Sequence, residues 1–376
     1  MAFYQESITD IYPKHILMTV HKVDVLIIGG GLSGLSLAYF LQKSGINSTI
    51  LEARERLGGR MLTQYEAGKA PLEMGATWLG NKHTALTTLL KELELEIFEQ
   101  YLGEQAIYEP ISTSPPQLVT LPVNEEPSYR IVGGSSQLIQ TLHQQIKNTQ
   151  EIHTATPVVA IKEKGDVLEV HTKEGMFTSS VVVSTVPPNL LAKSVTFEPS
   201  LPKDILTVMK TTHTWMGDSI KIALTYEEPF WRDHGHSGTI FSGVGPIPEM
   251  YDHSDVADQT FGLCGFLNGS YFSLEKEERL SLILGQLKKY FGSQAEDFLS
   301  YEERVWRNEP FTYTPYEAHV LPHQHNGHFL YRSPYYHGKL FLSGTETAHT
   351  FPGYMDGAVR SAQQVASVVQ ANYQHV

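Results

Sequence analysis

Residues 23–52 read VDVLIIGGGLSGLSLAYFLQKSGINSTILE, and this stretch decides the fold. Its apolar opening, VDVLIIG, predicts a strand that is buried on both faces of a parallel sheet. A helix is expected over about 33–44 with Gly45 as its C-terminal cap, and STILE (48–52) predicts the next strand. The order of strand, glycine turn, helix and strand is a β–α–β unit, which places the chain in the α/β class.

Three glycines between that strand and that helix fit the pattern G-x-G-x-x-G: Gly29, Gly31 and Gly34. The first allows a tight turn, the second lets backbone approach a pyrophosphate, and the third lets the helix pack closely on the strand. The helix N-terminus favours the negative charge, and Glu52 at the end of the second strand can accept hydrogen bonds from a ribose. In this context the pattern predicts a dinucleotide site, against the alternative of an ordinary glycine turn.

A second glycine pair follows at once in EARERLGGR, residues 52–60. An amide-rich loop that carries Arg54, Gly59 and Arg60 suits a longer cofactor, which needs another contact to its pyrophosphate. A solvated loop is the alternative for Arg54 and for Arg56.

Composition narrows the class of protein. The 376 residues hold 28 basic and 41 acidic side chains, a net charge of −13, which argues against a nucleic-acid surface. The single cysteine excludes an internal disulfide and fits a reducing compartment. Neither a secretory signal nor a run of about 18 apolar residues is visible, so we expect a cytoplasmic chain without a membrane anchor. Met18 is an alternative start.

The rest of the chain alternates between helical and strand patterns. An amphipathic helix is expected within 81–101, a proline- and serine-rich loop over 109–128, and a helix over 133–146. A hairpin is expected over 157–172, with its turn at Lys164-Gly165-Asp166. Strands are predicted within 179–188, 218–226 and 339–344, and further helices over 280–291 and from Met355 to the end.

The opening stretch and its continuation to GGRM resemble the flavin-containing amine oxidase superfamily, and the monoamine oxidase branch most. GGR after the acidic residue separates this group from nicotinamide dehydrogenases. The resemblance continues in order through MGATWLG, GGSSQLI, PVVAI, VVVSTVPP, GDSIKIALTYEEPFW, WRNEPF and LFLSGTETAHTFPGYMDGAVRSA, and so covers nearly the whole chain.

This resemblance implies FAD and two interleaved domains. A Rossmann-type FAD-binding domain would comprise 20–80, 136–210 and 309–366, and an α+β substrate domain would comprise 81–135 and 211–308.

The resemblance also implies roles along the cofactor. The backbone of Val159 would meet the adenine, and Glu346 would lie by the ribityl and phosphate part. Met355 through Ala358 would begin a helix whose amides face the isoalloxazine ring. Trp306 would pack beside the flavin, with a core tryptophan as the alternative.

Three side chains are candidates for the reactive end. Lys221 alternates with Ile220 and Ile222 in a strand, and on the residues alone it could simply point to solvent. In the family a lysine at this place holds a water near flavin N5. Tyr316 and Tyr354 match the two tyrosines that stand face to face before the flavin, a cage that excludes water; two core tyrosines are the alternative.

Two departures from the monoamine oxidases matter. Pro315 stands where they carry the cysteine bonded to the flavin, and the one cysteine here is Cys264, so FAD should be bound non-covalently. The segment between MGATWLG and GGSSQLI is shorter, which suggests a reduced wall of the substrate cavity.

The implied activity is amine oxidation. Hydride would pass from the carbon next to nitrogen to flavin N5, giving an imine that hydrolyses to aldehyde and ammonia, while molecular oxygen becomes hydrogen peroxide. The alternatives are a carbon-centred oxidase or desaturase of the same superfamily, and a flavoprotein with structural FAD. The sequence does not name the amine, and a homodimer stays an open alternative. Four histidines between 319 and 328 lack metal-site spacing, so no metal is expected.

Overall fold

The computed structural model describes residues 20–373, so the alternative start at Met18 lies outside the described residues. Within this range the α-helices are α1 (Leu32–Gln42), α2 (Thr84–Glu92), α3 (Ser136–Ile146), α4 (Pro188–Ser194), α5 (Lys203–Lys210), α6 (Lys276–Phe291) and α7 (Met355–Tyr373). Strands are numbered in chain order and introduced below by sheet.

A five-stranded parallel sheet forms the first half of the architecture. Its spatial order is β11 (Glu151–His153), β3 (Ser48–Leu51), β2 (Val25–Ile28), β15 (Val181–Ser184) and β22 (Leu340–Leu342). Successive residues of β2 pack into opposite cores: Val25 and Ile27 face the helices α1, α3 and α7, and Leu26 and Ile28 face the other side. The prediction of a strand buried on both faces is therefore confirmed.

A seven-stranded sheet forms the second half. Its order is β21 (Ser300–Val305), β17 (Ile220–Tyr226), β20 (Phe261–Leu267), β19 (Glu249–Asp252), β18 (Ile240–Ser242), β8 (Gln105–Glu109) and β9 (Gln117–Thr120). The helix α6 covers one face through Ile283 and Leu287, and the other face borders the cavity described below.

Three further sheets complete the fold within the described residues. One has the order β1 (Val20–Lys22), β14 (Met176–Ser179), β13 (Val167–Thr172), β12 (Val158–Lys164) and β16 (Thr196–Glu198). The second has the order β6 (Leu79–Gly80), β10 (Ser128–Ile131) and β7 (Ile97–Glu99), and β4 (Thr63–Gln64) pairs with β5 (Leu72–Glu73). The predicted hairpin over 157–172 is confirmed, with a two-residue turn at Gly165 and Asp166.

The prediction that Gly45 ends α1 is confirmed. Gly45 has φ +72°, its N–H donates to Gln42 O, and the N–H of Ile46 donates to Leu41 O. These two bonds are those of a Schellman motif, which satisfies the last carbonyls of the helix.

Two predicted elements are wrong in part. The helix within 81–101 ends at Glu92, because Glu94 adopts φ +56° and the chain turns into β7, which pairs with β10. The segment 109–128 is not all loop, since β9 pairs with β8 as an edge strand. In both places strand pairing overrides the local pattern.

Candidate functional site

A cavity of about 940 Å³ lies between the parallel sheet and the seven-stranded sheet. Ile28 and Leu51, at the carboxyl ends of β2 and β3, line one end, and Lys221 and Phe266 of the other sheet line the opposite end. The crevice outside the carboxyl ends of parallel strands is where open α/β sheets bind ligands.

The three glycines of the first loop have three different surroundings. A Cβ on Gly29, which has φ +108°, would lie 2.5 Å from Thr185 Oγ1, and one on Gly34 would lie 2.0 Å from Gly29 O. These two glycines serve the turn and the close packing of α1, and Gly34 is not on the cavity wall. A Cβ on Gly31 would meet nothing nearer than 3.8 Å, so packing of the polypeptide does not require a glycine here. The bare backbone of Gly31 instead leaves space for a ligand to come close.

The second glycine pair lies directly against the first loop. Gly58 donates its N–H to Gly30 O over 2.9 Å, and Gly59 Cα lies 3.8 Å from the place of a Gly31 Cβ. The helix α1 begins beside both loops without a side-chain cap, so its first N–H groups are available to an anion. This cradle of amides without side chains fits a pyrophosphate.

Glu52 lies on the cavity wall beside the cradle and is almost fully buried. Its carboxylate accepts the N–H of Gly30 over 2.7 Å and the N–H of Arg54 over 2.8 Å. A carboxylate has about four lone-pair sites, so it retains capacity for the hydroxyls of a ribose.

Arg54 and Arg60 of the second loop are tied to distant segments rather than solvated, whereas Arg56 donates within the loop, to Gly59 O over 2.9 Å. Arg54 Nη2 donates to Thr312 Oγ1 over 2.7 Å and pairs with Glu309 at 3.3 Å. Arg60 makes a two-pronged ion pair with Glu346, with N–O distances of 2.6 and 2.9 Å. Both arginines line the cavity; Glu346 is buried behind Arg60 and does not.

Val159 lies on the cavity wall at a β-bulge. Val158 pairs with Thr172 and Ala160 with His171, so Val159 is the extra residue and is skipped by the ladder. Its backbone is therefore free of strand pairing and can meet a heterocycle edge, as the resemblance implies.

Lys221 is 1% exposed, so the alternative of a solvent-facing lysine is wrong. Its Nζ donates to Thr77 Oγ1 over 2.9 Å, and it lies 4.3 Å from the ring centroid of Trp78 and 4.6 Å from that of Phe266. Burial lowers the pKa of the Lys221 ammonium. All four side chains line the same cavity.

Tyr354 also lines the cavity, and 48% of its surface is exposed. Its ring contacts His83 at 5.4 Å and Phe351 at 6.3 Å between centroids. The helix α7 begins at the next residue, Met355, and Met355 and Ala358 both lie on the wall.

Besides Gly34 and Glu346, two further predicted site residues are not on the cavity wall. The Tyr316 hydroxyl accepts the N–H of Thr214 over 2.8 Å, and its ring lies against Tyr313 at 6.1 Å. Trp306 is fully buried with its indole N–H on Met74 O at 2.8 Å, which favours the core-tryptophan alternative. Both are held by backbone partners that no local pattern reveals.

Sequence reasoning missed several residues of the wall, among them Trp215, Glu249, Trp78 and Phe266. Trp78 lies in MGATWLG, a stretch that carries the resemblance, so attention to that motif could have found it. Glu249 reaches the wall only through strand pairing and gives no local signal.

The model of the family described as "Flavin containing amine oxidoreductase" matches residues 32–109 and 108–370. The chain belongs to this family. It is an FAD-dependent amine oxidoreductase, and the glycine cradle, Glu52 and the bulge at Val159 are the features of this structure that fit FAD.

Individual relatives of this amine oxidoreductase are distant but nearly full-length. It is 27% identical to amine oxidase [flavin-containing] B of Sus scrofa, over 92% of the chain and 85% of that protein. It is 24% identical to the probable flavin-containing monoamine oxidase A of Dictyostelium discoideum, over 92% of the chain and 97% of that protein.

Two solved structures of amine oxidases are similar to this chain in fold. A putrescine oxidase structure described as wild type bound to putrescine matches with a TM-score of 0.81, at 25% identity, over 94% of this chain and all of that one. A cyclohexylamine oxidase from Brevibacterium oxydans, at 20% identity, gives the same TM-score over 94% and 99% of the two chains. Across residues 20–373, no helix combines the length and apolar character needed to cross a bilayer.

Proposed function

We propose that this amine oxidoreductase is an amine oxidase that uses molecular oxygen, with the amine bound at the end of the cavity where Tyr354 and Lys221 lie. The observation that carries the proposal is one continuous cavity, in which the glycine cradle leads to an aromatic chamber with a buried lysine. FAD held by the glycine cradle, Glu52 and the bulge at Val159 would supply the acceptor for the hydride on the carbon next to nitrogen, and molecular oxygen would take up the electrons.

The chain's own residues prepare the amine for this step. Tyr354, Trp78 and Phe266 present aromatic faces and exclude water from the chamber. Desolvation disfavours the charged form of an amine and favours the neutral form, which can lose hydride. Lys221 supplies a donor, directly or through a water, where negative charge develops.

We propose the two interleaved domains with these boundaries, because the strands of each large sheet come from the segments of one domain. The parallel sheet takes strands from 20–80, 136–210 and 309–366, and the seven-stranded sheet takes its strands from 81–135 and 211–308.

An anaerobic panel of amines tests the proposed reaction. We expect at least one primary amine to bleach the flavin absorbance fully, and air to restore it with release of hydrogen peroxide. The control is the same panel with the matching alcohols, which should leave the flavin oxidised. If every amine leaves the absorbance unchanged, the proposal fails.

We propose that FAD is bound without a covalent bond to the protein. Pro315 offers no thiol, and Cys264 is fully buried, away from the cavity wall, with its sulfur 3.4 Å from Glu73 O. Acid precipitation should therefore leave all the flavin in the supernatant, measured by its absorbance. A yellow pellet that survives washing would contradict this.

Glu249 supports a substrate that carries a second cation. Strand pairing places Lys221, Phe266 and Glu249 in one row across β17, β20 and β19. With about 4.8 Å between strands, the backbones of Lys221 and Glu249 lie about 10 Å apart, a span suited to an extended diamine. The Tyr251 hydroxyl donates to Glu249 over 2.7 Å and orients its carboxylate. The similar putrescine oxidase acts on a diamine, which agrees with this row.

Glu249→Gln separates the two substrate classes. We expect KM for a linear diamine to rise about tenfold or more, since a hydrogen bond to a charged group is lost. KM for a monoamine of the same chain length should change less than about twofold, because one amino group does not need the carboxylate. Equal effects on both amines would show that Glu249 is structural.

A further inference from the structure

Trp215 lies on the cavity wall beside Tyr354. A Cβ on Gly353, the residue before Tyr354, would come 3.5 Å from Trp215 Cβ, so the two segments are in contact distance. Trp215 is 38% exposed although it is a large aromatic, and it is one of the residues that line the cavity. An aromatic face left open inside a cavity is a surface for a ligand.

Three contacts fix the position of Trp215. Its indole stacks on His323, with 5.2 Å between ring centroids and 18° between planes. Its carbonyl oxygen accepts a hydrogen bond from Arg60 Nη1 over 3.0 Å, and Arg60 is anchored by Glu346. The wall is therefore tied to the arginine beside the glycine cradle, and the indole is held in place before any ligand arrives.

The third contact comes from Tyr316. Its hydroxyl accepts the N–H of Thr214, the residue immediately before Trp215. Burial raises the pKa of Tyr316, so its hydroxyl stays neutral. Tyr316 thus supports the segment that carries Trp215 from behind.

We propose that Trp215 and Tyr354 are the two aromatic walls that contact the amine, and that Tyr316 is a positioning residue that acts through Trp215. This inference rests on the proposed amine site. It assigns to a tryptophan of the loop before β17 the contact that the resemblance assigned to Tyr316. The substrate group that packs between these walls is the apolar part of the amine next to its nitrogen.

Binding of an amine that cannot react gives a test independent of turnover. Cumylamine has no hydrogen on the carbon next to nitrogen, so it can occupy the site without reducing FAD. Its Kd is measured from the shift of the flavin spectrum in the holoenzyme. We expect Trp215→Ala to raise Kd about tenfold and Trp215→Phe less than about threefold, since phenylalanine retains an aromatic face.

The matched control is Phe329→Ala. Phe329 is also exposed and stacked on a histidine, at 4.7 Å from His328, but it is not on the cavity wall. The Kd of Phe329→Ala for cumylamine should equal that of the wild type. FAD content should be unchanged in all these variants, because Trp215 contacts Arg60 only through its backbone.

A double-mutant cycle identifies the role of Tyr316. We expect Tyr316→Ala to raise Kd about threefold alone, and to add nothing in the Trp215→Ala background, as two coupled residues do. Full additivity would show that Tyr316 contacts the amine itself and would overturn its positioning role. The proposal that Trp215 contacts the amine would be overturned by an unchanged Kd for cumylamine in Trp215→Ala. It would also be overturned if cumylamine caused no spectral shift in the wild type. Failure of the wild type to oxidise any amine is a separate result, because cumylamine binding needs no oxidation.

Discussion

Gly31→Val should give a folded protein that has lost FAD. The valine side chain starts where a Cβ meets nothing nearer than 3.8 Å, so the polypeptide tolerates it. Its methyl groups, however, enter the space between the two glycine loops, where the pyrophosphate would lie. We expect the flavin-to-protein absorbance ratio after gel filtration to fall at least about tenfold.

The choice of glycine makes this experiment readable. Valine at Gly29 or Gly34 would collide with Thr185 or with backbone, so loss of FAD there would report only misfolding. Gly285→Val is the matched control, since a Cβ at Gly285 in α6 meets nothing within 4 Å, far from the cavity wall. Thermal unfolding of Gly31→Val should match that of wild-type apoprotein, because a bound cofactor stabilises only the holoprotein. If Gly31→Val retained its full flavin content, this would contradict the proposal that the two glycine loops hold the pyrophosphate.

Local patterns were enough for the cofactor half of the molecule. The run before Gly29, the glycine spacing and the cap at Gly45 all depend on residues close in sequence, and each forms as predicted. The start of α7 at Met355 is equally local, because Gly353 at φ +88° and the turn around it end just before the helix.

The remaining candidate residues could not be placed in this way. Glu249 joins the cavity only because β19 pairs with β20 in the register that puts Glu249 opposite Phe266. Tyr316 and Trp306 match a family pattern in sequence, yet hydrogen bonds to Thr214 and Met74 hold both off the wall. Register and backbone partners of this kind are long-range, and one sequence does not reveal them.

Lys221→Met should leave amine oxidation nearly intact and slow the reaction with oxygen. Reduction of oxygen places negative charge beside the flavin, and Lys221 is the buried cation at that end of the cavity. Loss of one such electrostatic donor costs on the order of 10² to 10³ in rate. In stopped-flow experiments we expect reoxidation of the reduced enzyme to slow by about that factor, and anaerobic reduction to slow by less than about tenfold.

The geometry keeps this variant interpretable. Methionine is close to lysine in length and apolar, and Thr77 keeps a partner because its hydroxyl also donates to Gly75 O over 3.1 Å. Trp78 and Phe266 then pack against a thioether, which aromatic rings accept readily. Lys43→Met on the surface, where the lysine pairs with Glu92, should change neither half-reaction. If Lys221→Met reoxidises as fast as the wild type, the lysine is a core residue, and the charge that assists oxygen must come from elsewhere in the cavity.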